Sequence, residues 1–141
     1  MPADVPLQRS LLHAGGALLG IDASSVLAAL ALGVGEQGAA LHTHLGVSVL
    51  DLCCAPGSKL ALLADLMDRR GSLTGVDVRQ ERLRVAAGQA RRAGLVGPGV
   101  CRPGWRLRLV EADGRRFSDG PKWGGEDGRA TELTSSSGYV G

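Results

Sequence analysis

A chain of 141 residues with 44% apolar content is long enough for one globular domain and apolar enough for a core. Its net charge of +2 does not by itself imply a polyanionic partner, and three cysteines, two of them adjacent, make no disulfide framework. With no run of about 18 apolar residues and no secretory leader, the expectation is a soluble intracellular protein with no membrane contact, its nuclear, nucleolar, cytoplasmic or organellar address left open.

Residues 1–20 are apolar and punctuated by glycine, an irregular segment that suggests no firm element. Asp22 suits an N-cap, and Ser24–Leu32, apolar almost all round, predicts a buried helix ended by Gly33 and Gly35. After a loop over 36–46, the short β-branched run Val47–Leu52 predicts a buried strand. The turn Cys53–Lys59 opens into a helix with Leu60, Leu63, Ala64 and Met67 on one face. Arg69 and Arg70 suit its last turn and Gly71 its end. Leu73–Val78 is a second strand. A second helix then places Leu83, Ala86, Ala87 and Ala90 on one stripe, opposite Gln80, Arg84 and Arg91, and Gly94 closes it. Arg106–Glu111 alternates as a third strand and runs into the turn Ala112-Asp113-Gly114. Beyond Phe117 the pattern stops. Residues 118–141, rich in Gly, Ser and charge, read as a disordered tail or a sequence foreign to the fold. With aromatic content at 3%, the core must come from Leu, Val and Ala. Strand, helix, strand, helix, strand over residues 21–117 predicts an α/β fold: a partial Rossmann-like βαβαβ half with a parallel sheet.

In open parallel sheets, ligands sit outside the carboxyl ends of the strands. Three features converge there. The turn Cys53–Lys59 offers backbone N–H groups and a helix N-terminus, which stabilise a carboxylate. Asp77 closes the second strand, placed for the hydroxyls of a ribose. Asp113 closes the third, placed for the exocyclic amine of a purine. Either Asp alone could be a simple helix cap. Together they describe a ligand with an amino-acid carboxylate, a ribose and an adenine, which is S-adenosyl-L-methionine. The rival phosphate loops fail on spacing, because the turn has Gly57 alone and Gly57-Ser58-Lys59 is followed by Leu60. His13, His42 and His44 match no zinc spacing with the cysteines, so no metal is expected. Arg79, Arg82, Arg84, Arg91 and Arg92 read mainly as a solvated helix face, with some capacity for RNA phosphates.

The segment Val49-Leu50-Asp51-Leu52-Cys53-Cys54-Ala55-Pro56-Gly57-Ser58-Lys59 resembles the first motif of the Sun/Fmu-type (RsmB/Nop/Sun) RNA cytosine-5 methyltransferases, L-D-L-C-A-A-P-G-G-K-T. Gly20-Ile21-Asp22-Ala23-Ser24-Ser25 resembles the stretch before it. Val76-Asp77 with Arg82-Leu83 resembles the second motif, and Asp113-Gly114 the third. The likeness covers about residues 16–117. It implies an S-adenosylmethionine-dependent enzyme acting on rRNA or tRNA, with Cys53, Cys54, Ala55, Pro56, Gly57, Ser58, Lys59, Asp77, Arg82 and Asp113 contacting the cofactor.

There are departures. Ser58 stands for the second Gly and Cys54 for the first Ala. Family members later carry a Pro-Cys pair and a second cysteine motif; one cysteine attacks carbon 6 of the base and the other helps release the enzyme. Neither motif occurs here, and Cys53, Cys54 and Cys101 read as small thiols, so no catalytic residue is assigned. The expectation is the cofactor-binding half of the core, inactive as this chain; the alternative is a non-catalytic S-adenosylmethionine-binding module acting through a partner. One edge of Val47–Leu52 should then lie unpaired, which invites self-association, marginal stability and weak cofactor binding.

Overall fold

The computed structural model describes residues 11–15, 18–34, 47–97, 104–117 and 129–133. In chain order its elements are α1 (Leu11–Ala14), α2 (Ala23–Ala31), β1 (Val47–Asp51), α3 (Ser58–Leu66), β2 (Gly71–Asp77), α4 (Gln80–Arg92), β3 (Arg106–Glu111) and β4 (Arg129–Leu133). The sheet order is β1-β2-β3-β4. The first three strands are parallel, with Val49 beside Leu73 and Leu73 beside Leu107. This is the expected βαβαβ arrangement of an α/β Rossmann-like half.

The periodicities explain the packing. On α3, Leu60, Ala61, Leu63 and Ala64 are buried; on α4, Leu83, Ala86, Ala87 and Ala90 are. The two helices pack on each other and on the sheet, enclosing Leu73 and Leu107. Leu and Ala dominate the core, as the composition requires, but Trp105 joins it. Its indole N–H donates to Leu95 O at 2.8 Å and so fixes the loop after α4.

Several expectations change. The helix expected over Ser24–Leu32 forms, capped by Asp22, whose carboxylate accepts from Ser25 N at 2.9 Å. Its burial does not follow: Ala29 is buried, whereas Leu27, Leu30 and Leu32 are exposed. Among the described elements α3 is the main one packed on it, and one main neighbour cannot cover a helix that is apolar all round. The helix α3 ends at Leu66, so Arg69 and Arg70 lie beyond it; Asp68 and Arg69 take positive φ, and Arg69 Nη1 donates to Gly94 O at 3.1 Å. Within the irregular N-terminal segment, Leu11–Ala14 forms a helical turn.

The stretch 118–141 contributes β4 rather than remaining wholly without regular structure. Arg129–Leu133 pairs antiparallel with β3, Leu109 facing Thr131. The driving feature is non-local: β3 presents an open edge of backbone donors and acceptors. At the opposite side, among the described residues, β1 pairs with β2 alone, so the expected open edge is there. Cys101, His42 and His44 lie outside the described residues.

Candidate functional site

At the end of β1, Asp51 is buried within an otherwise apolar strand. Its Oδ1 accepts from Lys59 Nζ at 2.6 Å and from Cys53 N at 3.2 Å. Burial alone would lower the Lys59 ammonium's pKa, but the hydrogen bond and charge of Asp51 outweigh it and the net shift is upward. Lys59 Nζ also donates to Cys53 O at 3.3 Å and lies 3.5 Å from Cys53 Sγ. Lys59 therefore folds back onto the turn. Asp51 Oδ2 is buried with no hydrogen-bond partner among the described residues.

The middle of the turn packs inward. Cys54 is buried, its N–H donates to Val76 O at 3.0 Å, and burial, then the charges of Asp51 and Asp77, push its thiol up to about 12. Ala55 is also buried, and the Ala55–Pro56 peptide is cis. Gly57 takes φ +113°, and a Cβ there would stand 3.1 Å from Ala86 Cα, so the turn touches the backbone of α4. Ser58 Oγ donates to Gln89 Oε1 at 3.4 Å across the same contact.

At the end of β2, Asp77 is only 3% exposed. Its Oδ1 accepts from Arg79 N at 3.1 Å and its Oδ2 pairs with Arg82 Nη1 at 3.3 Å. The other arm of Arg82, Nη2, donates to Ala55 O at 3.0 Å. Past β3, Asp113 Oδ1 accepts from Arg115 N at 3.0 Å and Oδ2 from Arg115 Nη2 at 2.7 Å. These hydrogen bonds hold the Asp113 carboxyl down to about 2. A Cβ on Gly114 would come within 2.8 Å of Leu52 O, so glycine there lets the ends of β1 and β3 meet.

One cavity of about 360 Å³ lies across these strand ends. Of the residues expected from the sequence, Cys53, Asp77, Arg82 and Asp113 line it. Leu52, Val78, Gly114 and Arg115 join them. The sequence reading missed those four, although Val78 and Gly114 adjoin the two aspartates. Cys54, Ala55, Pro56, Gly57, Ser58 and Lys59 are not in the lining. The sequence reading also missed Asp51; a carboxylate inside an apolar strand run was the available signal. Two carboxylates facing one cavity suit a ligand rich in hydroxyl and amine donors, and the apolar Leu52 and Val78 suit a flat ring. Among the described residues, no group of three His, Cys, Asp or Glu is placed to hold a metal. No helix among them is long and apolar enough to cross a membrane.

Comparison with known proteins adds relatives. The family described as 16S rRNA methyltransferase RsmB/F matches residues 38–122. The 28S rRNA (cytosine(4447)-C(5))-methyltransferase of Homo sapiens is 31% identical over 115 residues, which is 82% of this chain and 12% of that protein. Ribosomal RNA small subunit methyltransferase F of Aeromonas hydrophila is 33% identical over 96 residues, 68% of this chain and 19% of that protein. The chain thus spans a small part of the curated relatives it matches. Among solved structures, the crystal structure of PH0851 overlays with a TM-score of 0.59 at 21% identity, over 80% of this chain and 21% of that one. That likeness is one of fold.

Proposed function

The chain belongs to the 16S rRNA methyltransferase RsmB/F family, and on that premise we propose that its strand ends hold S-adenosyl-L-methionine for methylation of a cytosine of RNA at carbon 5. Bound there, the cofactor supplies a methyl group on a cationic sulfur. Asp77 accepts from the ribose hydroxyls. Each carboxylate oxygen has two lone pairs, so Arg79 N and Arg82 leave acceptor capacity free. Asp113 accepts from the adenine amine, and the exposed Arg115 side chain yields or shares that carboxylate. The Leu52–Cys53 wall faces the amino-acid end.

The nucleophile that attacks the base is assigned to neither described cysteine. Cys54 is buried with its thiol far from ionising at neutral pH, and Cys53 belongs to the wall of the donor cavity. Residues 21–117 are accordingly the donor-binding unit of the reaction. The observation that carries this reading is the convergence of a nearly buried Asp77 and of Asp113 on one cavity at adjacent parallel strand ends.

Calorimetric titration of the full chain with S-adenosylmethionine tests it. Asp77→Ala should weaken binding by about tenfold or more, the scale of a lost charge-assisted hydrogen bond. Unchanged affinity in a variant with a cooperative melt would refute the site. Neither described cysteine is placed as the nucleophile, which favours a second reading, a donor-binding module without chemistry of its own. Transfer of a tritiated methyl group to rRNA by this chain would exclude it.

A further inference from the structure

We infer that Arg82 is a positioning residue that fixes the plane of the Asp77 carboxylate and the separation of the two walls of the donor cavity. The inference rests on the donor reading above and deepens it. A carboxylate turns freely about its last bond unless both oxygens are held. Here Arg79 N donates to Oδ1 at 3.1 Å and the Arg82 guanidinium forms an ion pair with Oδ2, its Nη1 at 3.3 Å, so the carboxylate is drawn toward one orientation from two sides. The second arm of the same guanidinium reaches Ala55 O at 3.0 Å, in the turn that follows β1. One rigid fork therefore ties the wall bearing Asp77 to the wall that continues into Cys53.

The local sequence makes this possible. Arg82 lies in the first turn of α4, where its N–H donates to Arg79 O at 3.1 Å, and the same Arg79 donates its own N–H to Asp77. The helix start and the carboxylate are one unit. Asp77 is almost wholly buried, so protein donors weigh heavily in its orientation, whereas the Arg82 side chain is 43% exposed and adds little to the core. Arginine is required by geometry. The two acceptors are met by two different nitrogens of one plane, and lysine offers all its donors from a single nitrogen.

The test is titration of the full chain with S-adenosylhomocysteine and with its 2′,3′-dideoxy analogue, on the parent protein, Arg82→Lys, Arg82→Ala and the control Arg84→Ala. Arg84 is exposed and bonds Gln80 Oε1 at 3.4 Å. Both Arg82 variants should lose about tenfold affinity for S-adenosylhomocysteine, with Arg84→Ala unchanged. With the dideoxy analogue the Arg82 penalty should shrink below about twofold, because the hydroxyls that Asp77 accepts from are gone. A general loss of structure would weaken both ligands alike. Parent protein that binds neither ligand overturns the donor reading and this inference with it. Parent protein that binds while Arg82→Lys binds equally well overturns the inference alone, as does an equal penalty for the two ligands. Should Arg82→Ala fail to melt cooperatively, Arg82→Lys, which keeps the stem and the charge, decides.

Discussion

The helices α2 and α4 start from opposite sequence patterns and meet opposite fates. In α4, apolar Leu83, Ala86, Ala87 and Ala90 share a stripe, and all four are buried against α3 and the sheet. In α2 nearly every position is apolar, yet Leu27 and Leu30 remain 68% and 53% exposed while Ala29 is buried. A two-faced helix encodes both its need for cover and the direction from which cover comes. A helix apolar all round encodes the need alone. How much of it is covered then depends on how many neighbours the fold provides, and among the described elements α3 is the main one.

That contrast can be broken by mutation. The largest effect should come from Leu83→Ala in α4, which deletes a buried side chain and should cost about 2–5 kcal/mol in urea unfolding. Gly57→Ala comes next, at about 1–3 kcal/mol, because a side chain there meets both a φ of +113° and the Ala86 backbone on α4 at 3.1 Å. Thermal melting of the two variants would rank them.

Asp22→Ala should have a smaller effect, confined to the start of α2 and visible as lost protection of the Ser25 amide in hydrogen exchange. The Asp22 carboxyl is held well below its usual 3.8 by hydrogen bonds from Ser24 and from the Ser25 amide and hydroxyl. Its folded-state value is depressed, so the capping contribution is complete above 3.8 and is lost as pH falls through the lower folded value. The Ser25 amide resonance should accordingly titrate with a midpoint below 3.8. A midpoint at or above that value would mean the cap is not formed. The smallest effect belongs to Leu27→Ala, which should stay within about 0.5 kcal/mol. A cost like that of Leu83→Ala would show α2 to be covered in solution and the contrast with α4 to be false.

Much of the fold was legible because its signals are local. The bounds of β3 match the alternating run; β1 starts where expected and ends one residue sooner, and β2 starts two residues and ends one residue before its apolar run. Asp77 and Asp113 were legible as site candidates because they fall at, or just past, the ends of successive strands; either alone could equally have been a helix cap. Arg115 was not, since an exposed arginine in the turn past a strand looks like any solvated charge. Nor was β4. Nothing in Arg129–Leu133 specifies a strand without β3 alongside.

The turn Cys53–Lys59 marks the boundary between the two kinds of information. Its residue types announced a strand-to-helix turn at a ligand edge, and the likeness to a known motif assigned all of it to the cofactor. In three dimensions only Cys53 lines the cavity; Cys54 lies against β2, Gly57 and Ser58 against α4, and Lys59 turns back to Asp51.

The order of residues along the chain determined the parallel βαβαβ half, the burial stripes of α3 and α4, and the presence of acidic groups at two strand ends, all of which follow from short-range periodicity. Only the tertiary structure decided that Arg82 links Asp77 to Ala55, that α2 stays largely open, and that β3 gains an antiparallel neighbour. Each of those depends on which distant surface arrives within hydrogen-bonding or van der Waals reach, and residue spacing along one strand or helix carries no record of that.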